Sequence, residues 1–137
     1  MNRTKARENA FILLFEYKFQ PEDIEELLSD FMAEHNTEGQ SEYIKKVVLG
    51  AAENVDTIDR IISEAATGWE FSRLSAVIVS VLRLSVFEML YMKDIPNIVA
   101  LNEAIAIGKK YSGDECAPFL NGILSKIMNT IEAEDNV

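Results

Sequence analysis

The chain has 137 residues, of which 48% are hydrophobic and 26% are charged, and its formal net charge is −10. These values predict one globular domain over residues 1–137 and exclude an intrinsically disordered chain. A single cysteine excludes a disulfide framework, and the N-terminus lacks the apolar core of a signal peptide, so we expect a cytoplasmic protein. The longest apolar run, 74–92, contains Arg83 and Glu88 and is predicted to be a buried helix, with no membrane span.

The apolar spacing in the first half of the chain predicts four helices. Helix one is expected over residues 4–18, and helix two is expected to start at Pro21, because proline suits the first turn of a helix. After a predicted loop, Ser41 is expected to cap helix three. A further apolar stripe over residues 58–65 predicts either a fourth helix or a kinked continuation of the third.

Three more helices are predicted in the second half. Residues 73–91 are rich in valine and isoleucine, which suits a strand, but a run of nearly twenty residues without a turn signal favours a helix. Asn97 is expected to cap helix six and Asp114 to cap helix seven, which should end near Ile131 and leave residues 132–137 as a frayed tail. The predicted fold class is therefore all-α, with about seven helices.

Acidic side chains are concentrated in one block of the sequence. Residues 20–70 carry thirteen acidic and three basic side chains, whereas the segments before and directly after this block have a small positive excess. This distribution leaves the N-terminus and the end of predicted helix six free to face an anion. The basic side chains in these two places are Arg3, Lys5, Arg7, Lys109 and Lys110.

These basic residues allow two interpretations. Arg3 and Arg7 are four residues apart, so on a helix they share a face and can contact neighbouring phosphates. Basic residues near a terminus are also commonly just solvated. Lys109 and Lys110 likewise have a plain alternative, because lysines at a helix C-terminus offset the negative end of the helix dipole.

Two polar pairs interrupt an otherwise helical apolar pattern between residues 95 and 131. They are Asn102-Glu103 and Asn121-Gly122, and Asn-Gly is a turn dipeptide that is unfavourable inside a helix. A local rule broken inside a strong pattern often marks a functional or closely packed site. We interpret Asn102, Glu103 and Asn121 as hydrogen-bonding links between helices six and seven, with Gly122 allowing a neighbour to approach closely.

Three segments together resemble the NusB family of transcription antitermination factors. They are ARENAF at residues 6–11, VALNEAIAIGKKY at residues 99–111 and FLNGILSK at residues 119–126. Trp69, Arg73, Arg83 and Glu88 resemble a further segment of that family. Because the segments are ordered and spaced as in the family, the resemblance is far more specific than any one motif, and it covers residues 3–126.

The resemblance implies an arrangement and an RNA-binding surface. The helices of about residues 4–67 and 73–131 would form two packed bundles. RNA contact would come from the first helix and the tail before it, from the end of helix six, and from an aromatic residue that stacks on a base. For that aromatic residue, core packing is the alternative that its spacing favours. The implied RNA-binding residues are Arg3, Lys5, Arg7, Lys109, Lys110, Tyr111 and Phe119.

The resemblance also implies a protein partner, NusE, which doubles as a ribosomal protein, near Trp69, Arg73 and Ile78. Relatives usually carry an acidic and then a basic residue where this chain has Ile78 and Val79. Two exposed apolar residues there would favour self-association into a homodimer. Relatives also commonly have Lys or Arg where this chain has Pro118, which removes one expected phosphate contact. Arg83 and Glu88 are five residues apart, so a direct ion pair between them is not assured.

The sequence shows no set of residues typical of an enzyme active site, no glycine-rich phosphate loop and no metal-ligand spacing. We therefore expect neither catalysis nor a cofactor. Cys116 is expected to be a buried core thiol. The resemblance implies a factor that, with NusE, binds single-stranded boxA RNA of ribosomal RNA leaders, joins the RNA polymerase antitermination complex and prevents premature termination. The alternative is a protein-interaction or dimerisation module with weak or no RNA binding.

Overall fold

The structure is a computed structural model that describes residues 1–136. Within this range the chain forms seven α-helices and no strand, which confirms the predicted all-α class. Short 3₁₀ turns precede the second, fifth and seventh helices, at Pro21–Asp23, Phe71–Arg73 and Asp114–Cys116. The helices are α1 (Arg3–Phe19), α2 (Ile24–Glu34), α3 (Ser41–Glu53), α4 (Val55–Ala65), α5 (Ala76–Tyr91), α6 (Asn97–Ser112) and α7 (Ala117–Asp135).

The three predicted N-caps are wrong. Ser41 and Asn97 are the first residues of α3 and α6, and Asp114 opens the 3₁₀ turn before α7, so none has the flanking position that a cap needs. The polar side chains have other partners. The Ser41 hydroxyl lies 2.7 Å from that of Thr37, and the Asn97 amide donates to the Glu132 carboxylate at 3.2 Å.

The start of α5 also differs from the prediction, which placed it at Arg73. Ser75 is the N-cap of α5, because its backbone is extended and its hydroxyl accepts a hydrogen bond from the Ile78 amide at 3.2 Å. Arg73 therefore belongs to the connecting 3₁₀ turn. This places its side chain on the surface ahead of the helix.

Two element boundaries are settled by local hydrogen bonds. The Asn54 amide donates to the Gly50 carbonyl at 2.8 Å, and a break at Asn54 separates α3 from α4 as distinct helices. At the other end, α7 continues through the predicted frayed tail to Asp135, whose carboxylate accepts from Lys93 at 3.1 Å. Val137 lies outside the described residues.

Helix α5 occupies the centre of the molecule. It contacts α1, α3, α4, α6 and α7, and every side chain from Ile78 to Met89 is buried. Its two buried serines donate to the carbonyls of Ala76 and Ala100, at 2.7 and 3.1 Å, so their hydroxyls are satisfied. Across residues 1–136, no helix is long and apolar enough to cross a membrane.

One hydrophobic core joins all seven helices. Helices α1, α2 and α3 pack on one another, and α5, α6 and α7 do the same. Helix α4 contacts α5 and α7 more extensively than α3, so the division between the two groups falls near Asn54 and not in the 68–72 connector. The shared core supports the proposal of one domain.

Close approach between α6 and α7 depends on Gly108. A Cβ atom there would overlap the Leu120 side chain and come within 3.1 Å of the buried Cys116 sulfur. Gly122 was predicted to play this role, but a Cβ atom there would meet nothing within 4 Å among the described residues. The prediction for Gly122 is therefore wrong, because its position on α7 faces open space.

Alanine at these two glycines should have opposite effects on the free energy of unfolding. Gly108→Ala should lower it by about 1 to 2 kcal/mol, because overpacking outweighs the gain in helix propensity. Gly122→Ala should raise it by up to about 1 kcal/mol, since only the propensity changes. Urea denaturation followed by circular dichroism measures both, and equal effects at the two sites would contradict this packing.

Candidate nucleic-acid interface

Arg7 lies inside the protein. Its side chain is 4% exposed, and its guanidinium donates to both carboxylate oxygens of Glu88, at 2.8 and 3.1 Å. The Tyr43 hydroxyl donates to the same carboxylate at 2.5 Å, and Glu103 lies 3.8 Å from Arg7 on its outer side. The predicted phosphate contact of Arg7 is therefore contradicted, because the guanidinium is already taken by a buried carboxylate.

The Arg7, Tyr43 and Glu88 cluster keeps its charges because each is hydrogen-bonded. Burial alone lowers the pKa of Arg7, but the Glu88 hydrogen bond and the nearby negative charges outweigh it and leave the pKa raised. Burial first, and then the charge of Glu88, raises the pKa of Tyr43, so its hydroxyl stays protonated and donates. The cluster ties α1, α3 and α5 together from the inside.

A second cluster lies where the start of α1 meets the end of α6. The Glu8 carboxylate accepts from the Lys110 ammonium at 2.5 Å, from the Tyr111 hydroxyl at 2.7 Å and from Lys5 at 3.2 Å. The hydrogen bond from Lys110, followed by that from Tyr111, lowers the pKa of Glu8 to about 2. The structure thus brings together three predicted RNA-binding residues around a carboxylate that the sequence interpretation had left out.

The lysines of this cluster remain open to solvent, since the Lys5 and Lys110 side chains are 59% and 63% exposed. Lys109 is exposed beside them at the end of α6. Arg3 is exposed at the start of α1, where its guanidinium donates to Gln40 at 2.7 Å and stacks 4.2 Å from the centre of the Tyr43 ring. We call Arg3, Lys5, Lys109 and Lys110 the cationic surface.

The remaining predicted contact residues line one groove of about 600 Å³. The Trp69 and Phe119 rings meet there edge to face, with their centres 5.1 Å apart. Phe119, predicted to face RNA, therefore shares a site with the residues predicted to face NusE. We call this site the Trp69–Phe119 groove, and its lining residues are Gly68, Trp69, Glu70, Arg73, Leu74, Ser75, Ile78 and Phe119.

Ile78 and Val79 do not form an exposed apolar patch. Both are buried, with Ile78 8% and Val79 1% exposed, because α5 is covered on nearly every side. The interpretation of this pair as a homodimer surface is therefore wrong.

The polar pairs also differ from their predicted role. Asn102, Asn121 and Gly122 are exposed, and no hydrogen bond from these asparagines joins α6 to α7 within the described chain. The helical period places them opposite the apolar stripe of their helix, which explains why a poor helix former is tolerated without packing. Only Glu103 reaches another helix, through its 3.8 Å contact with Arg7.

Arg83 and Glu88 turn to different partners. Arg83 donates to both carboxylate oxygens of Asp59 at 2.9 and 2.8 Å, which ties α5 to α4, while Glu88 holds Arg7. The sequence interpretation missed Glu8, Tyr43 and Asp59, and for Glu8 the signal was its place directly after Arg7 in the family-like segment. In residues 1–136, no group of three or more His, Cys, Asp or Glu side chains is arranged to hold a metal ion.

The fold and the site together define a small all-helical protein with a cationic surface and an aromatic groove. The sequence model of the NusB family matches residues 4–129. The transcription antitermination protein NusB of Clostridium novyi (strain NT) is 43% identical over 133 residues, covering 93% of this chain and 98% of the relative. The NusB protein of Ruminiclostridium cellulolyticum is 40% identical, covering 93% and 88%. The chain belongs to the NusB family.

Solved structures agree with this assignment. T. maritima NusB superposes with a TM-score of 0.87 at 35% identity, covering 94% of this chain and 92% of that one. A crystal structure of the antitermination factors NusB and NusE in complex with dsRNA gives a TM-score of 0.84 at 29% identity, covering 93% and 96%. Membership of this family confirms the resemblance seen in the sequence and the prediction that the chain is not an enzyme.

Breaking the buried ion pair from one side should be costly. Arg7→Met leaves the Glu88 charge without its partner and should lower the free energy of unfolding by about 3 to 5 kcal/mol. Lys93→Ala removes an exposed ion pair and serves as the control, with an expected loss of at most about 1 kcal/mol. In urea denaturation, a loss for Arg7→Met no larger than that of the control would show that the pair has no structural role.

The stability contributed by Glu8 should depend on pH. Its folded-state pKa is lowered from 4.5 to about 2, so this contribution is fully present above about pH 4.5 and disappears as the pH falls towards 2. Glu8→Gln should therefore lower the free energy of unfolding by about 1 kcal/mol at pH 7, and the difference from wild type should vanish near pH 2. Urea denaturation between pH 2 and 7 measures this, with the exposed Glu22→Gln as control. A difference that does not change with pH would contradict the assignment.

Proposed function

We propose that this protein is an RNA-binding transcription antitermination factor that acts together with NusE. Its membership of the NusB family supports this, as do relatives named transcription antitermination proteins. A structural relative crystallised with NusE and dsRNA supports the same two partners here. Such a factor works in the cytoplasm, beside the RNA polymerase that makes its RNA.

The observation that carries the RNA-binding proposal is the cationic surface on a chain whose net charge is −10. The acidic block lies on α2, α3, α4 and their connections, whereas the cationic surface lies at the start of α1 and the end of α6. RNA phosphates would be attracted to this surface and repelled elsewhere. A small set of cations on an acidic protein should give modest affinity with strong dependence on salt.

The hydrogen-bonding capacity of the surface suits phosphate. An ammonium group has three donors, and the Lys110 ammonium uses one of them on Glu8, which leaves two that can point to solvent. Glu8 holds Lys5, Lys110 and Tyr111 in one place, so fewer side chains must be ordered when an anion binds. The exposed side-chain amides of Asn102 and Asn121 can hydrogen-bond to the edges of bases. Such contacts can distinguish one base from another, which phosphate contacts cannot do.

The proposed ligand is single-stranded boxA RNA in the leaders of ribosomal RNA transcripts. Single-stranded bases can be splayed onto aromatic rings and read at their edges, whereas a duplex hides them. NusE would bind near Arg73 and Ile78, at the rim of the Trp69–Phe119 groove, and would leave the aromatic rings open. Weak contacts on two linked proteins would then add up, and the assembly would join the RNA polymerase antitermination complex and prevent premature termination.

The alternative of a dimerisation module rested on three observations, which are the acidic balance of the chain, Pro118 and a pair of exposed apolar residues at positions 78 and 79. It has lost the last of these, because Ile78 and Val79 are both buried within the monomer.

Anisotropy of labelled RNA tests the proposal. The ligands are a boxA-type single strand, a scrambled strand of the same composition and a boxA duplex, each with and without NusE at two salt concentrations. We expect the boxA strand to bind best, NusE to strengthen binding, and salt to weaken it. Lys110→Ala should reduce the slope of log affinity against log salt by about 0.7, the loss of one single-strand phosphate contact.

The control variant is Lys93→Ala, because Lys93 lies before the start of α6 and Lys110 lies near its end. It should bind RNA like the wild type. Arg7→Ala is unsuitable as a test, since loss of the buried pair would impair folding. If the boxA strand binds no better than the scrambled strand even with NusE present, the chain is a protein-docking module and the proposal fails.

A further inference from the structure

We propose that Trp69 is a base-stacking residue, which holds one base of the bound RNA in the Trp69–Phe119 groove against Phe119. This inference rests on the proposed function, since it names the part of the RNA that the groove receives. It takes Trp69 away from the protein partner to which the family resemblance had assigned it.

The first support is the exposure of Trp69. An indole that packs only for stability is normally buried, yet 60% of this residue is exposed. Its backbone is held in place, because Gly68 has a φ of +87° and the Trp69 amide donates to the Ala66 carbonyl at 3.0 Å. The connector between α4 and α5 thus presents a large ring to solvent from a fixed turn.

The second support is the arrangement of the two rings. Phe119 is half-buried and anchored on α7, and it meets Trp69 at an angle of 61° with 5.1 Å between ring centres. An edge-to-face pair covers the edge of one ring and one face of the other, so the remaining ring faces are open to a further planar group. Nucleobases are such groups, and every base offers a π face to a protein aromatic ring.

The third support is the charge around the groove. The Arg73 side chain is 82% exposed and pairs with Glu70 at 3.3 Å, a surface contact that a phosphate can replace at little cost. Lys126 also reaches this connector, where its ammonium donates to the Thr67 hydroxyl at 3.1 Å. A base stacked on Trp69 would therefore have cations nearby for its neighbouring phosphates.

The scarcity of exposed apolar side chains at the groove favours a base over a protein surface. A stable protein interface buries about 800 Å² on each partner around apolar anchors. The other exposed large apolar side chains of the described chain do not line this groove, so Trp69 is its one such anchor; they are Met1, Phe19, Leu49, Tyr91, Ile98, Val99 and Tyr111.

The experiment uses the intrinsic fluorescence of Trp69, which is the only tryptophan of the chain. A boxA-type RNA strand is titrated into the full-length protein, with binding followed independently by anisotropy of a label on the RNA. We expect Trp69 emission to be quenched with the same midpoint as the anisotropy change. Inorganic polyphosphate, which offers phosphates without bases, should leave the emission unchanged.

Variants separate stacking from general packing. Trp69→Leu should weaken RNA binding about tenfold, whereas Trp69→Phe, which keeps a ring, should stay within about threefold of wild type. Tyr91→Leu removes an exposed aromatic residue outside the groove and should have no effect on RNA affinity. Thermal unfolding of each variant checks that it is folded. Because Trp69 is largely exposed, its replacement should leave the fold intact.

Three results would overturn the inference, and they can be told apart. If anisotropy reports RNA binding while Trp69 emission and the RNA affinity of Trp69→Leu stay unchanged, stacking is removed and RNA binding is kept. If NusE alone quenches Trp69 emission, and Trp69→Leu loses NusE binding but not RNA binding, the groove is a protein site. A flat anisotropy signal for boxA RNA even with NusE present would overturn the proposed function and this inference together.

Discussion

The ion pair between Arg7 and Glu88 joins α1 to α5 within the core, and the rest of the structure is arranged around it. Both charges are removed from water, so each must be satisfied by the other, and the Glu88 carboxylate also accepts from the Tyr43 hydroxyl. This requirement fixes the rotation of α1 about its axis. It also turns Lys5 outward, while Arg3, which shares the face of Arg7, is exposed because it is the first residue of α1, and together they place one part of the cationic surface.

The same constraint links stability to function through neighbouring residues. Arg7 and Glu8 are adjacent in α1 but bind in different places. Arg7 binds the buried Glu88 carboxylate of α5, whereas Glu8 binds exposed side chains at the end of α6. Helix α1 is therefore held to α5 by its inner face and to α6 by its edge. The cationic surface is assembled from two helices far apart in sequence, because both pack on the same central helix.

The sequence predicted the helices well because apolar spacing reports which residues face the core. It predicted the caps poorly, since Ser41, Asn97 and Asp114 are suitable residue types that found other partners or positions. The sequence also does not show whether a basic side chain is buried or exposed. Arg7 looked like a surface cation because its partner, Glu88, is 81 residues away. Phe119 and Trp69 were identified separately, but only the fold shows that they meet.

The two ends of the described chain lie near opposite ends of α6. Arg3 begins α1, whose Glu8 accepts from Lys110 near the end of α6, whereas Asp135 ends α7 beside Lys93, just before α6 begins. Helix α6 has sixteen residues and is therefore about 24 Å long. An affinity tag or fusion partner joined ahead of Arg3 would cover the surface proposed for RNA. The same addition after Asp135 would leave that surface open, so the choice of attachment point decides whether a binding assay reports on the protein or on its tag.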